Sequence, residues 1–304
     1  MPEGSGLERP DRLPLTNPRS ERVRAVRRLS GRSARLRDGQ FAVEGPQAVR
    51  EAVAAHRRGV AAGDPALLLQ LYACDDAAAR HPQLLADAAA CGVDVWPVSA
   101  SVLAAMADTV TPQGLLAVCR LVDVPLQRVL DARPRLVAVL AAVRDPGNAG
   151  TVIRAADAAG ADAVLLTDSS VDVHNPKCVR STAGSLFHLP VVVGVPLPAA
   201  VQALRTAGLT VLAADGAGPV DLDTLRDRAE PGVGLAGPVA WLFGNEAWGL
   251  PDADRALADQ VVRVPIHGAA ESLNLAMAAT VCLYVTAGAQ RATGQSLAPP
   301  SPPI

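Results

Sequence analysis

Residues 136–166 constrain the fold more than any other stretch. Leu136–Val143 is a continuous apolar run, a turn Arg144–Asn148 (RDPGN) follows, a helical segment Ala149–Ala159 closes at Gly160, and Ala163–Leu166 is apolar again. Strand, helix, strand in that compass is a βαβ unit. Runs apolar on both faces belong to a parallel sheet covered on both sides. The rhythm continues, with strands expected at Leu189–Val193, Thr210–Ala214, Val239–Phe243 and Val261–Val264 and helices near 176–183, 198–207, 252–258 and 272–287. The composition agrees: half the residues are hydrophobic but only 3% are aromatic, so Ala, Val and Leu must form the core of a closely packed α/β protein.

At 304 residues the chain is long enough for two domains, each with its own core. A first block, 19–121, alternates helices such as Gly45–Arg58 with apolar segments such as Ala66–Ala73 and Leu115–Leu121. Residues 122–135, broken by Pro125 and Pro134, read as a linker, and 136–291 form the second block. The stretches 1–18 and 292–304 lack periodicity and are expected to be disordered tails. No internal repeat is present.

Net charge is −2, which by itself neither favours nor excludes nucleic acid. Its distribution says more: residues 1–40 hold ten Arg against five acids, a basic arm suited to phosphate or, more blandly, a solvated helix face. The five cysteines are scattered, without CxxC or Cys/His ligand spacing, which argues against zinc and suits a reducing cytoplasm. Cys119 and Cys282 lie in apolar runs and read as buried thiols. The polar, Pro/Arg-rich start does not read as a signal peptide, and no apolar run has the length of a membrane helix.

Four polar constellations interrupt the apolar rhythm. In the first, Asp145-Pro146-Gly147-Asn148 precedes Arg154. Asn148 is placed to cap the helix, Gly147 and Gly150 admit close backbone approach, and Arg154 can pair with Asp157 three residues on. Alone, this is a capped helix with a surface ion pair. It contains no GxGxxG, so the nicotinamide fingerprint is absent. In the second, Asn175-Pro176 starts a helix on which Lys177, the only lysine, and Arg180 share a face. The bland reading is a solvated face. The third, Trp241–Leu250, is an apolar strand opening into Gly244-Asn245-Glu246 and Trp248-Gly249. Ligands of open α/β sheets bind at such strand ends, although an ordinary strand-to-helix turn has the same look. In the fourth, Arg263–Val285, a short strand and a Gly- and Ser-bearing loop lead to an Ala-rich helix. Ser272 and Asn274 stand where that helix is expected to begin, beside free N–H groups and a partial positive charge.

The ordered set Asn148…Arg154, Gly244-Asn245-Glu246…Gly249 and Ile266…Ser272-Leu273-Asn274-Leu275 resembles the three motifs of the SpoU (TrmH-like) branch of the SPOUT methyltransferases, over essentially all of 136–290. Phe41-Ala-Val-Glu-Gly45 and Thr111-Pro-Gln-Gly114 look like parts of the small RNA substrate-binding domain that precedes the catalytic domain in many members. The resemblance implies an N-terminal α/β RNA-binding domain and a C-terminal SPOUT α/β domain tied in a deep trefoil knot. It further implies methyl transfer from S-adenosylmethionine to a ribose 2′-hydroxyl of RNA by a cytoplasmic homodimer without metal or membrane. Carried over by position, the active site is Arg154, Asn148, Glu246, Ser272 and Asn274. Cofactor contacts fall on Leu242, Gly244, Asn245, Gly249, Ile266, Ser272 and Leu275, those of Gly244, Ile266 and Leu275 largely through backbone. Arg24, Arg27, Arg28, Lys177 and Arg180 are candidates for phosphate contacts, which supply affinity without sequence choice.

The chemistry suits these residue types. A ribose hydroxyl is a poor nucleophile at neutral pH and must lose its proton during attack. A sulfonium donor needs no leaving-group acid, so positioning and hydroxyl activation remain. The family mechanism assigns activation to Arg154, yet a guanidinium in water stays protonated. Either its site deprotonates it, or it stays charged, orients the adjacent phosphate and stabilises the developing alkoxide while another group takes the proton. Members with an added N-terminal domain usually modify large-subunit ribosomal RNA, while others act on tRNA. A non-catalytic RNA binder of the same fold and a base-methylating relative are the competing readings. Methyl transfer separates the first from the enzyme, and nucleoside digestion of the product separates the second.

Overall fold

The computed structural model describes residues 13–227 and 234–292. Most of both expected tails, including Arg9 and Arg12 of the basic arm, lies outside the described residues. Where the first tail is described it is ordered: Leu15 pairs with Val98, its N–H donating to the Pro97 carbonyl at 2.9 Å. The expectation of disorder through residue 18 is corrected there.

The chain begins with α1 (Glu21–Arg28), α2 (Arg32–Asp38), β1 (Gln40–Glu44), α3 (Pro46–Ala62) and β2 (Leu68–Ala73). It continues with α4 (Asp75–Arg80), α5 (Pro82–Ala90), β3 (Asp94–Pro97), α6 (Ala100–Met106) and β4 (Leu115–Arg120). These strands form one sheet ordered β1-β4-β2-β3, in which β4 is antiparallel to both neighbours and β2 is parallel to β3. The expected linker is partly helical, as α7 (Leu126–Asp131) fits between its two prolines. The second part runs β5 (Leu136–Leu140), α8 (Pro146–Ala159), β6 (Ala163–Thr167), α9 (Pro176–Ser181), β7 (Val191–Val195) and α10 (Leu197–Thr206). Then come β8 (Thr210–Ala214), β9 (Val220–Asp221), α11 (Leu222–Arg226), β10 (Val239–Phe243), α12 (Asp252–Arg255), β11 (Gln260–Arg263) and α13 (Leu275–Ala292). Its seven strands are all parallel, in the order β7-β6-β5-β10-β8-β11-β9.

The two-residue period of a strand divides the second sheet cleanly. Leu136, Ala138 and Leu140 of β5 and Val239, Trp241 and Phe243 of β10 face one apolar layer, while Val137, Val139, Ala240 and Leu242 face the other. The first layer does not stop at the domain boundary. It joins Phe41, Val49 and Leu115 of the first sheet's side to Ile153, Phe187 and Trp241 of the second, so one core layer runs through both blocks, beside a further apolar cluster within each. Polar contacts reinforce the seam. Arg35, only 2% exposed, donates to Asp172 at 2.6 Å and also to the Leu29 and Ser30 carbonyls. His188 lies between Asp157 of α8 at 2.7 Å and Glu51 of α3 at 3.1 Å.

Helix α13 closes the second sheet. Its buried Thr286 accepts the indole N–H of Trp241 at 2.9 Å, and Gln290 donates to the Arg135 and Gly237 carbonyls. Those bonds set the direction of α13 and bring its amino end to the strand ends. No helix among the described residues is long and apolar enough to cross a membrane.

Candidate active site

The strand expected over Leu136–Val143 stops at Leu140 because Ala142 takes a positive φ of 56°, a conformation that a non-glycine residue adopts only when held there. The holder is Asn245, whose Nδ2 donates to the Ala142 carbonyl at 2.7 Å. After this turn the chain enters α8, and the cap is Asp145, not Asn148 as the sequence suggested. The Asp145 carboxylate accepts the Asn148 N–H at 2.8 Å, and Pro146 fills the first helical position. The Lys177 ammonium at 2.8 Å, with that N–H, holds the Asp145 carboxyl below the usual carboxylate range. With its cap supplied by another residue, the Asn148 side chain is released for the site.

Three loops meet at Asn148. Its Nδ2 donates to Glu246 at 3.3 Å, and its Oδ1 accepts from Asn274 Nδ2 at 3.2 Å. Glu246 also accepts the backbone N–H groups of Arg144 at 3.2 Å and Asp145 at 3.1 Å, so one carboxylate fastens the end of β10 to the start of α8. Asn274 caps α13, accepting the Ala276 N–H at 2.9 Å. The helix therefore starts at Leu275, later than the 272 expected, and Ser272 belongs to the loop before it.

Beside this junction opens a cleft of about 740 Å³. It lies at the carboxyl ends of the adjacent strands β10, β8 and β11, lined there by Phe243-Gly244, Ala214-Asp215-Gly216 and Arg263–Ile266. This is where open α/β sheets bind ligands. Gly244, Asn245, Gly249, Ile266, Ser272 and Leu275, the candidate cofactor contacts, line it together with Glu246 of the candidate catalytic set. Gly244 has no alternative residue, because a Cβ there would stand 2.3 Å from the Gly249 carbonyl carbon. Leu242 does not join them: it is fully buried in the opposite apolar layer, so the expected cofactor contact is corrected by strand parity. Sequence reading missed two ion pairs of the cleft, Arg255–Asp215 at 3.0 Å and Arg263–Asp221 at 3.4 Å. Their residues carry no local motif and converge only through the sheet order.

Other expected residues fall elsewhere. Arg154 lies on the solvent face of α8, exposed and without a hydrogen bond or ion pair among the described residues. It does not line the cleft, and its expected partner Asp157 is taken by His188. Lys177 and Arg180 do not form a free cationic face. Lys177 is bound to Asp145, and Arg180 reaches Asp108 at 3.1 Å and Glu44 at 3.7 Å in the first block. Arg27 donates to the Ala105 and Ala107 carbonyls and packs α1 on α6, whereas Arg24 and Arg28 project to solvent one turn apart. Among the described residues no group of three or more His, Cys, Asp or Glu could hold a metal ion.

Known proteins share both the sequence and the architecture. The profile of the SpoU rRNA Methylase family matches residues 135–284, and that of the MRM3-like substrate binding domain matches 20–117. A Bacillus subtilis protein named 23S rRNA (guanosine(2553)-2′-O)-methyltransferase RlmP is 32% identical over 272 residues, covering 89% of this chain and 97% of its own. The AdoMet-bound rRNA methyltransferase of Sinorhizobium meliloti superposes with a TM-score of 0.74 at 29% identity, over 90% of this chain and 97% of that one. The AdoMet complex of the SpoU methyltransferase AviRb from Streptomyces viridochromogenes gives 0.72 at 31% identity, over 90% and 100%. With both blocks matched in order and the relative covered almost end to end, the chain belongs to the SpoU rRNA methylase family.

Proposed function

We propose that the chain is an S-adenosylmethionine-dependent methyltransferase that modifies a ribose 2′-hydroxyl of 23S ribosomal RNA. The observation that carries this reading is the junction at the edge of the cleft, where Asn148 bonds both Glu246 and Asn274 and so joins three motifs far apart in sequence. The 23S relative that spans nearly its whole length supports the choice of RNA.

The cleft fits the cofactor. Its volume lies in the range of small-molecule sites, roughly 300–1,000 Å³, and its four acids against two arginines suit a ligand that carries a sulfonium and an ammonium beside one carboxylate. Gly244, Ile266, Ser272 and Leu275 line the cleft. S-adenosylmethionine, when bound, supplies a methyl group on sulfur whose departure needs no proton. The chain supplies the rest. Asn148 and Asn274 hold the ribose hydroxyl through amide positions left over from their mutual bond. Glu246 fixes the Asn148 amide and the turn behind it, and Asn148 in turn orients Asn274, so little reorganisation is needed at attack. Arg154, exposed and unpaired on α8 outside the cleft, is free to meet the phosphate beside the ribose, and the hydroxyl proton leaves to solvent as the methyl group arrives.

The same reading divides the chain into an RNA substrate-binding unit over 19–121 and a knotted methyltransferase unit over 136–291, working in the cytoplasm. It also makes the protein a homodimer. Met277, Val281 and Tyr284 stand at helical spacing on α13 and are 52%, 37% and 49% exposed, an apolar stripe on the helix whose first turn lines the cleft, which a second copy would cover. The test uses labelled S-adenosylmethionine and unmodified total RNA, with 23S, 16S and tRNA then separated and the protein's mass in solution measured alongside. Label in 23S RNA from a two-chain particle is expected. Label confined to tRNA would overturn the choice of RNA, and an active monomer would overturn the dimer.

A further inference from the structure

Trp248 differs from the other two tryptophans. Trp241 is fully buried, and Trp96 is covered by Arg22, whose guanidinium carbon stands 3.9 Å from the ring centroid. Trp248 is 53% exposed at the mouth of the cleft. Its support is nevertheless rigid. The N–H groups of Asn245 and Gly249 each donate to the other's carbonyl at 2.9 Å. The Asn245 side chain ties this turn to the Ala142 carbonyl on one side and accepts the Ala247 N–H on the other. Leu250, next in the chain, is buried. The indole is thus held out from a pinned turn. Arg144 places its guanidinium carbon 5.2 Å from the ring centroid, and its backbone N–H is fixed by Glu246.

We propose that Trp248, with Arg144 beside it, is a stacking platform for the base of the nucleotide being modified. The inference rests on the reading of the site as a ribose methyltransferase. If the ribose hydroxyl sits at Asn148 and Asn274, the base hangs from the neighbouring sugar carbon and must lie close to that junction. Glu246 binds Asn148 directly and precedes Trp248 by two residues, so the indole is the aromatic surface within reach. A nucleotide drawn out of a folded RNA into an active site loses its stacking, and an aromatic face replaces what is lost. Every base has such a face, so this platform supplies affinity with little choice of base, and the nearby guanidinium adds attraction to the base and to its phosphate.

The test compares the full chain with Trp248→Ala and Trp248→Phe. A short single-stranded oligoribonucleotide is titrated in, reading tryptophan fluorescence and the anisotropy of a dye on the RNA. The wild type is expected to be quenched and Trp248→Phe is not, because the reporting indole is gone. RNA affinity should stay near wild type in Trp248→Phe and fall roughly 5- to 150-fold in Trp248→Ala, as loss of one stacked base implies. Affinity for S-adenosylmethionine without RNA, and mass in solution, should be unchanged in both. Quenching that persists in Trp248→Phe, or full RNA affinity in Trp248→Ala, overturns the platform. Lost cofactor affinity would assign the ring to the cofactor, and a changed mass would assign it to contact with a second copy; either overturns the proposal. A wild type quenched by RNA but transferring no methyl group would sink the enzymatic reading and leave the base platform standing.

Discussion

Asn148 and Asp145 show how much one position decides. Both residue types cap helices, and only the proline between them distinguishes the roles: Pro146 belongs at the first helical position, which makes the residue before it the cap. That signal was present in the sequence, and its consequence is functional, since an asparagine not used as a cap can bind another group. Glu246 reads the opposite way. Nothing local marks it as more than an exposed acid, yet its two oxygens accept three N–H groups from the start of α8. Glu246→Gln keeps the shape but turns one acceptor into a donor aimed at N–H groups. We expect kcat to fall about 100-fold, the cost of a small misplacement of reacting groups, with little change in melting temperature because the site is exposed. Steady-state kinetics beside a thermal melt checks this; a large loss of stability with intact kcat would make Glu246 a structural residue only.

At the scale of elements, strands Thr210–Ala214 and Val239–Phe243 have the bounds their sequence implied, because Val211–Ala213 of the one and the whole of the other are apolar and buried on both faces. What escaped was short or irregular. β3 is four half-buried residues ending in a proline at a sheet edge, and its pattern has no apolar face to read. The halt of β5 at a left-handed alanine has no sequence signature, since it is imposed by Asn245 from 103 residues away. The docking of α13 was equally hidden, although both partners are ordinary residues of apolar runs. Trp241 must place its indole N–H somewhere, and Thr286 is the acceptor. Thr286→Val keeps the volume and strands that N–H in the core. The expected cost is about 1–3 kcal/mol, read as a lowered midpoint in urea with an unchanged slope. An unchanged midpoint would mean the N–H finds another acceptor.

For the whole molecule, the sequence marked two blocks but not that they share a core. Phe41 illustrates why: as part of a short apolar strand it implies burial, but not that it packs on Phe187, 6.2 Å away between ring centres, from the other block. His188 makes the seam sensitive to pH. Its hydrogen bond to Asp157, helped by the one to Glu51, raises its pKa against the opposing effect of burial. A raised folded-state pKa stabilises fully below the ordinary histidine value of about 6.5 and is lost as pH rises through the folded value. Burial pushes the Asp157 carboxyl up, but its hydrogen bonds to His188 and Ser185 outweigh that and leave its pKa lowered; its contribution is present above the usual carboxylate range and is lost as pH falls through its depressed value. The bridge is therefore strongest in mildly acidic solution. His188→Gln should lower the melting temperature most near pH 6 and least near pH 9, both approximate bounds set by the reference pKa values. A difference between the two proteins that does not vary with pH would remove the charge from the account.

The shared core layer and its polar seam hold the N-terminal block against α8 and α9, and α8 carries Asn148 into the junction with Glu246 and Asn274. What that junction holds therefore decides the chemistry of the molecule. The most direct measurement is nucleoside analysis of RNA labelled by the purified chain with S-adenosylmethionine. Label recovered as a 2′-O-methylnucleoside, and lost when Asn148→Ala replaces the wild type, is the predicted result. Label on a nucleobase, or a 2′-O-methyl product formed undiminished by Asn148→Ala, would contradict it.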